Sequence, residues 1–153
     1  MTLVAEHVSC LQSLIVAEPP GAYLVSPPLV VDCSVLSAVL FEEPMRDEAL
    51  GQLAGKGLHA PTLLDHEIAN VATKKLRQNW PRESVELALA DYASQAIALH
   101  RVDIAAQVAL AQRYGLSAYD AAYLWLAAEL KAPLATYDQK LGNAARLHLA
   151  SLP

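Results

Sequence analysis

Two short apolar runs in the chain, LVVDCSV and LATYDQK, each end on an aspartate, Asp32 and Asp138. An aspartate at the end of a buried strand has two common uses. It caps the helix that follows, or it joins other carboxylates in holding a hard cation. Two further acids stand near helix starts, Glu67 in DHEIANVATKKLRQNW and Asp120 in GLSAYDAAYLWLA. Oxygen ligands with no Cys/His spacing beside them favour Mg²⁺ or Mn²⁺ over zinc. Clustered carboxylates repel one another, so a fold that gathers four of them needs a cation. Each acid also has an ordinary use. Asp32 and Asp138 fit helix N-caps, Asp120 fits a capping box with Ser117, and Glu67 fits a solvated first turn. Those uses do not explain why both strands end the same way.

The elements that must position these acids are legible in the periodicity. Val4, Val8, Leu11 and Ile15 recur at helical spacing across residues 3–16, and the four prolines of PPGAYLVSPP follow as a linker. Residues 1–28 are therefore expected as an amphipathic helix and Pro-rich linker, and residues 29–150 as the main domain. LVV reads as a buried strand and CSVLSAVLFEE as a helix. Pro44 breaks the pattern before a short helix with a glycine stop. LHAPTLL leads into a helix with Leu64, Ile68, Ala72 and Leu76 on its buried stripe. Pro81 opens the next helix, expected through about Leu99. Asp103 caps IAAQVALAQRY, Gly115 closes it, and Ser117 caps AYDAAYLWLAAEL. KAP then breaks the chain before the strand LAT, and QKLGNAARLHLA ends it as a helix. Short apolar strands alternating with longer helices imply an α/β fold with a parallel sheet covered on both faces. Ligands of such sheets gather outside the carboxyl ends of the strands, which is where Asp32 and Asp138 fall.

Composition narrows the function. The 153 residues are 54% hydrophobic, which suits one domain with a sizeable core. No apolar run approaches the roughly 18 residues that span a membrane. No Lys or Arg precedes Arg46, and Glu6 interrupts the first apolar stretch, so no secretory signal is expected. Cys10 and Cys33 make no disulfide framework, which points to a soluble cytoplasmic protein with reduced thiols. The net charge of −5 argues against nucleic acid as a partner. Four carboxylates withdrawn into a cation site would bring that −5 to −1, leaving room for a local basic patch.

VVDCSV, HEIANV, GLSAYDAAYLWLA and LATYDQKL, in this order and at these intervals, resemble the successive motifs of the PIN-domain ribonucleases. The closest likeness is to the VapC-like toxins of toxin–antitoxin pairs, over roughly residues 29–148. The resemblance implies a three-layer α/β/α fold, with a central parallel sheet flanked by helices, and an acidic quartet that binds a divalent metal. Carried over by position, the quartet is Asp32, Glu67, Asp120 and Asp138, with the hydroxyls of Ser34 and Thr136 supporting it from behind. Two features depart from the family. Cys33 stands where alanine or threonine is usual, and reads as a small core residue. The family's chains usually begin almost at the first strand, whereas here about 28 residues precede it. These read as an extra helix packing on the domain or on a partner, or as a start codon placed too early.

The implied chemistry is hydrolysis of RNA. A carboxylate-held Mg²⁺ or Mn²⁺ lowers the pKa of a water that attacks phosphorus in line, and the resemblance implies a 5′-phosphate and a 3′-hydroxyl as products. No covalent nucleophile is needed. His66 adjoins Glu67, but successive helix residues point about 100° apart, so His66 reads as a surface or packing residue rather than a base. Asn70, Lys74 and Gln78 form a polar strip beyond Glu67. Asn70, Lys74, Lys75 and Arg77 are the candidate RNA contacts, against the plainer reading of a solvated helix face. Trp80 and Trp125 read as packing anchors. The resemblance further implies a small antitoxin protein as partner and a homodimer. Two rival readings stand beside the nuclease. One is a catalytically silent RNA-binding module, which four intact acids disfavour. The other is an aspartyl phosphatase, which would want a second acid where Ser34 stands.

Overall fold

The computed structural model describes residues 26–153, so the expected N-terminal helix and most of the linker lie outside the described residues. β1 (Pro28–Val31) is followed by α1 (Cys33–Leu40), α2 (Arg46–Leu53) and β2 (Gly57–Pro61). Then come α3 (Leu64–Arg77), α4 (Arg82–Ser94) and β3 (Ala98–His100). α5 (Ile104–Tyr114), α6 (Ala118–Leu130), β4 (Leu134–Ala135) and α7 (Gln139–Ala150) complete the chain.

The four strands are all parallel, in the order β3-β2-β1-β4. Parallel neighbours need long crossovers, and here each crossover is a pair of helices. The chain steps outward from β1 to β2 to β3, then returns through α5 and α6 to place β4 on the other side of β1. The strand order therefore reverses between β1 and β4. At such a reversal the crossovers on the two sides part, leaving an opening outside the strand ends.

Leu29, Val30 and Val31 are buried in β1, as expected of a central strand covered on both faces. α1 packs on α2, α3 and α4, while α6 packs on α5, α7 and the strands. α6 buries Ala121, Ala122, Tyr123, Leu124, Leu126 and Ala127, which explains why AYDAAYLWLAAEL is apolar nearly all round. α3 buries Leu64, Ile68 and Ala72 as its spacing predicts; Leu76 is only partly covered. Cys33 is buried and lies 3.5 Å from the Ser37 hydroxyl, consistent with a small core residue.

Helix ends follow the sequence closely. Asp103 Oδ1 accepts from Ala106 N at 2.9 Å, and Gly115 closes α5 at φ 62°, a left-handed turn that glycine enters without steric cost. Ser117 Oγ accepts from Asp120 N at 3.0 Å. One expectation is corrected. The helix opened by Pro81, expected through about Leu99, stops at Ser94, and Ala98–His100 is strand β3. Nothing in QAIALH forbids a helix; pairing with β2 decides it, with His59, Ala60 and Pro61 set against Ala98, Leu99 and His100. β2 itself had no strand signature, because GLHAP combines a glycine, a histidine and a terminal proline.

Candidate active site

β1 delivers Asp32 to the opening between β1 and β4. The residue occupies the N-cap position of α1, yet its side chain caps nothing. Its Oδ2 instead accepts hydrogen bonds from Ser34 Oγ and Thr136 Oγ1, both at 2.8 Å. The two hydroxyls are in turn held by backbone. Tyr137 N donates to Ser34 Oγ at 3.0 Å, and Asp138 N donates to Thr136 Oγ1 at 2.9 Å. Asp32 N also donates to Ala135 O at 3.0 Å. The ends of β1 and β4 are thus laced together around one carboxylate that is only 7% exposed. A buried carboxylate is tolerable when donors meet its charge. Here both described donors serve Oδ2.

Asp138 does the capping that Asp32 does not: its Oδ1 accepts from Leu141 N at 2.7 Å and starts α7. Glu67 lies in the first turn of α3, half-buried, and the Tyr123 hydroxyl from α6 donates to its Oε2. Tyr123 is wholly buried and one helical turn past Asp120, so Glu67 is the acceptor its hydroxyl needs.

The acids act on one another electrically. Burial pushes the Glu67 carboxyl up to about 7, opposed by the Tyr123 hydrogen bond and reinforced by the charges of Asp32 and Asp120. Asp120 is also raised, by burial and then by the charges of Asp138 and Asp32; Ser117 and Lys140 oppose the shift. Asp32 acts on both Glu67 and Asp120, and Asp138 acts on Asp120. The field is shared, but the acids are not drawn into a closed cage. Among the described residues, no three Asp, Glu, His or Cys side chains stand close enough together to hold one ion. The donor set, four hard carboxylates of which two have raised proton affinity, has the chemistry that a divalent cation relieves.

The Glu67 shift has a direct consequence for stability. Its ordinary pKa is 4.5 and its folded value is about 7. Between those values the folded protein keeps a proton that the unfolded chain has released, so the stability due to this group falls as pH rises. Thermal melts in EDTA from about pH 5 to pH 7.5 are expected to show that fall, and Glu67→Gln is expected to flatten it. An equal slope in Glu67→Gln would assign the effect to other groups.

The basic strip divides on inspection. Asn70, Lys74 and Arg77 are exposed along α3. Lys75 turns inward: its ammonium lies 3.5 Å from Glu43 Oε1, 4.5 Å from the centre of the Trp80 ring and 5.6 Å from that of Phe41. Packing therefore accounts for Lys75 and for Trp80, and Trp125 packs against the main core. Two residues near the acids were not singled out by the sequence. Lys140, on the first turn of α7, eases the charge on Asp120. Tyr119, 67% exposed, adjoins Asp120 and lines a cleft of about 420 Å³ with Leu63, His66, Glu67 and Asn70. A lone lysine and one tyrosine among six carry no pattern that sets them apart.

Residues 29–147 match the PIN domain family, and the chain belongs to that family. Within it, the chain is 30% identical over 121 residues to Ribonuclease VapC3 of Pyrobaculum aerophilum, covering 75% of this chain and 92% of that protein. The crystal structure of PAE2754, also from Pyrobaculum aerophilum, superposes with a TM-score of 0.59 at 20% identity, over 82% of this chain and 88% of the other. The latter likeness is one of fold, and it agrees with the parallel sheet between helices described above. Among the described residues no helix is long and apolar enough to cross a membrane.

Proposed function

We propose that the chain is a divalent-metal-dependent endoribonuclease that hydrolyses RNA phosphodiester bonds, and that it is the toxin of a toxin–antitoxin pair. The observation that carries this reading is Asp32: a buried carboxylate at the β1–β4 opening, bracketed by two hydroxyls, whose charge reaches both Glu67 and Asp120. Support for RNA as substrate and for an antitoxin partner comes from membership of the PIN-domain family and from the likeness to a protein named Ribonuclease VapC3.

Asp32, Glu67, Asp120 and Asp138 would hold Mg²⁺ or Mn²⁺. When bound, the cation supplies Lewis acidity toward a phosphate oxygen and activates the attacking water. The chain's own residues do the rest. Ser34 and Thr136 fix the Asp32 carboxylate, and Tyr123 fixes that of Glu67. Lys74 and Arg77, with Asn70 between them and Glu67, offer charge and polarity to the RNA backbone leading to the site. Lys75 contributes by holding Trp80 and Phe41 rather than phosphate. The chain acts as a homodimer in the cytoplasm in this reading.

Cleavage of single-stranded RNA by the purified chain, dependent on Mg²⁺ or Mn²⁺ and lost in Asp32→Asn and Asp120→Asn, tests the proposal. RNA binding without cleavage under either cation would leave a binding module instead. Lys74→Ala is expected to weaken RNA affinity and to lower the slope of log affinity against log salt by about 1, as removal of one phosphate contact does. A salt slope equal to that of the wild type would remove Lys74 from the RNA path.

A further inference from the structure

We infer that the cleft between α3 and α6 is a nucleobase subsite, in which Tyr119 stacks on a base of single-stranded RNA next to the cleaved phosphate. The inference rests on the nuclease reading above and assigns one part of its substrate contacts.

Tyr119 stands one residue before Asp120 in the first turn of α6, and its side chain is turned out of the core at 67% exposure. Its neighbours on the same helix, Ala121 to Leu124, are buried. Packing among the described residues therefore gives no account of an aromatic ring at this position. The ring lines a cleft of about 420 Å³ whose other walls are Leu63, His66, Glu67 and Asn70. Each wall has a use toward a base. Tyrosine offers a flat face for stacking, which is how bases of single-stranded RNA are most often held. His66 offers a second ring, and Leu63 an apolar contact. The Asn70 amide both donates and accepts, which suits the edge of a base.

Location separates a base from other occupants. Glu67 belongs both to this cleft and to the acidic rim, so an occupant of the cleft is adjacent to whatever phosphate the rim receives. The Glu67 carboxylate is itself one wall of the cleft, which disfavours an anionic occupant there. A nucleobase is neutral, flat and joined to its phosphate by a short sugar link, and it meets all three conditions. A segment of a protein partner is the competing occupant, and the same experiment separates the two.

The test uses the full chain and a short single-stranded oligoribonucleotide carrying 2-aminopurine at successive positions. Binding is followed in Asp32→Asn, so that the RNA is not consumed, with and without Tyr119→Ala. Quenching is expected at one position only, and Tyr119→Ala is expected to abolish it. In cleavage by otherwise wild-type protein, Tyr119→Ala is expected to raise KM roughly ten- to hundredfold, while Tyr119→Phe, which keeps the ring, restores it. An abasic nucleotide at the quenched position is expected to cost wild type that same factor and to cost Tyr119→Ala little more. Melting temperatures check that the exposed substitution leaves the fold intact. Failure of the wild type to cleave RNA with Mg²⁺ or Mn²⁺ would overturn the nuclease reading itself. Cleavage with KM, quenching and the abasic penalty all unmoved by Tyr119→Ala would overturn the subsite alone and assign the ring to a protein partner. Equal losses in Tyr119→Phe and Tyr119→Ala would equally overturn stacking, since only the hydroxyl distinguishes phenylalanine from tyrosine.

Discussion

Asp32→Asn is expected to lower metal-dependent RNA cleavage by about three orders of magnitude while the protein stays folded. Asparagine keeps the shape of the side chain, and its amide oxygen still accepts from Ser34 or Thr136, so the bracket between the ends of β1 and β4 survives. What disappears is a negative charge at the centre of the acidic rim. A cation's stabilisation of the developing charge amounts to several kcal/mol, and each ~1.4 kcal/mol is tenfold in rate. Without metal the sign is reversed. Asp32 raises the proton affinity of Glu67 and Asp120 by repulsion, so removing its charge relieves both. The variant is therefore expected to melt at or above the wild-type temperature in EDTA, and to gain less from added Mn²⁺. Single-turnover cleavage together with melting in EDTA checks both halves. Activity within tenfold of wild type would remove Asp32 from the chemistry.

Tyr123→Phe is expected to weaken apparent Mn²⁺ affinity by roughly ten- to hundredfold, the usual cost of losing a group that orients a metal-binding side chain. Phenylalanine fills the same buried space, so the ring's packing within α6 is kept. Only the hydroxyl goes, and with it the donor to Glu67 Oε2. Glu67 is then a half-buried carboxylate without its donor, and such a group either turns toward solvent or keeps its proton. Both outcomes take a ligand away from the rim. Cleavage rates measured across a range of Mn²⁺ concentrations are expected to shift to higher Mn²⁺ and to recover in part at saturation. Mn²⁺ dependence unchanged from wild type would mean that the bond serves the tyrosine's burial and nothing more.

Much of this arrangement is legible in the amino-acid sequence. Asp32 and Asp138 are readable because an apolar run that stops on an acid is a strong local signal. Asp103, Gly115 and Ser117 are readable because helix ends have few chemical solutions. The parallel sheet follows from the alternation of short apolar runs with helices. β3 escaped because Ala98–His100 has no intrinsic strand preference and depends on β2 for its conformation. The division of capping duties escaped as well. Both aspartates sit at N-cap positions, yet only Asp138 caps, since Ser34 and Thr136 compete for Asp32. Ser34 is two positions from Asp32, but Thr136 is 104 positions away in the chain, and no local pattern shows that its hydroxyl reaches the carboxylate. The bond between Tyr123 and Glu67 spans 56 positions and is hidden for the same reason. Lys75 shows the opposite limit: its type suggested phosphate, and its neighbours Glu43, Phe41 and Trp80 claim it.

Calorimetric titration of Mn²⁺ into the full chain and into Asp32→Asn, Glu67→Gln, Asp120→Asn and Asp138→Asn tests most directly whether the four acids act as one site. The expected result is a saturable site in the wild type that is weakened or lost in every one of the four variants. Mn²⁺ binding that persists unchanged in all four would contradict a carboxylate-held cation, and the proposed nuclease mechanism with it.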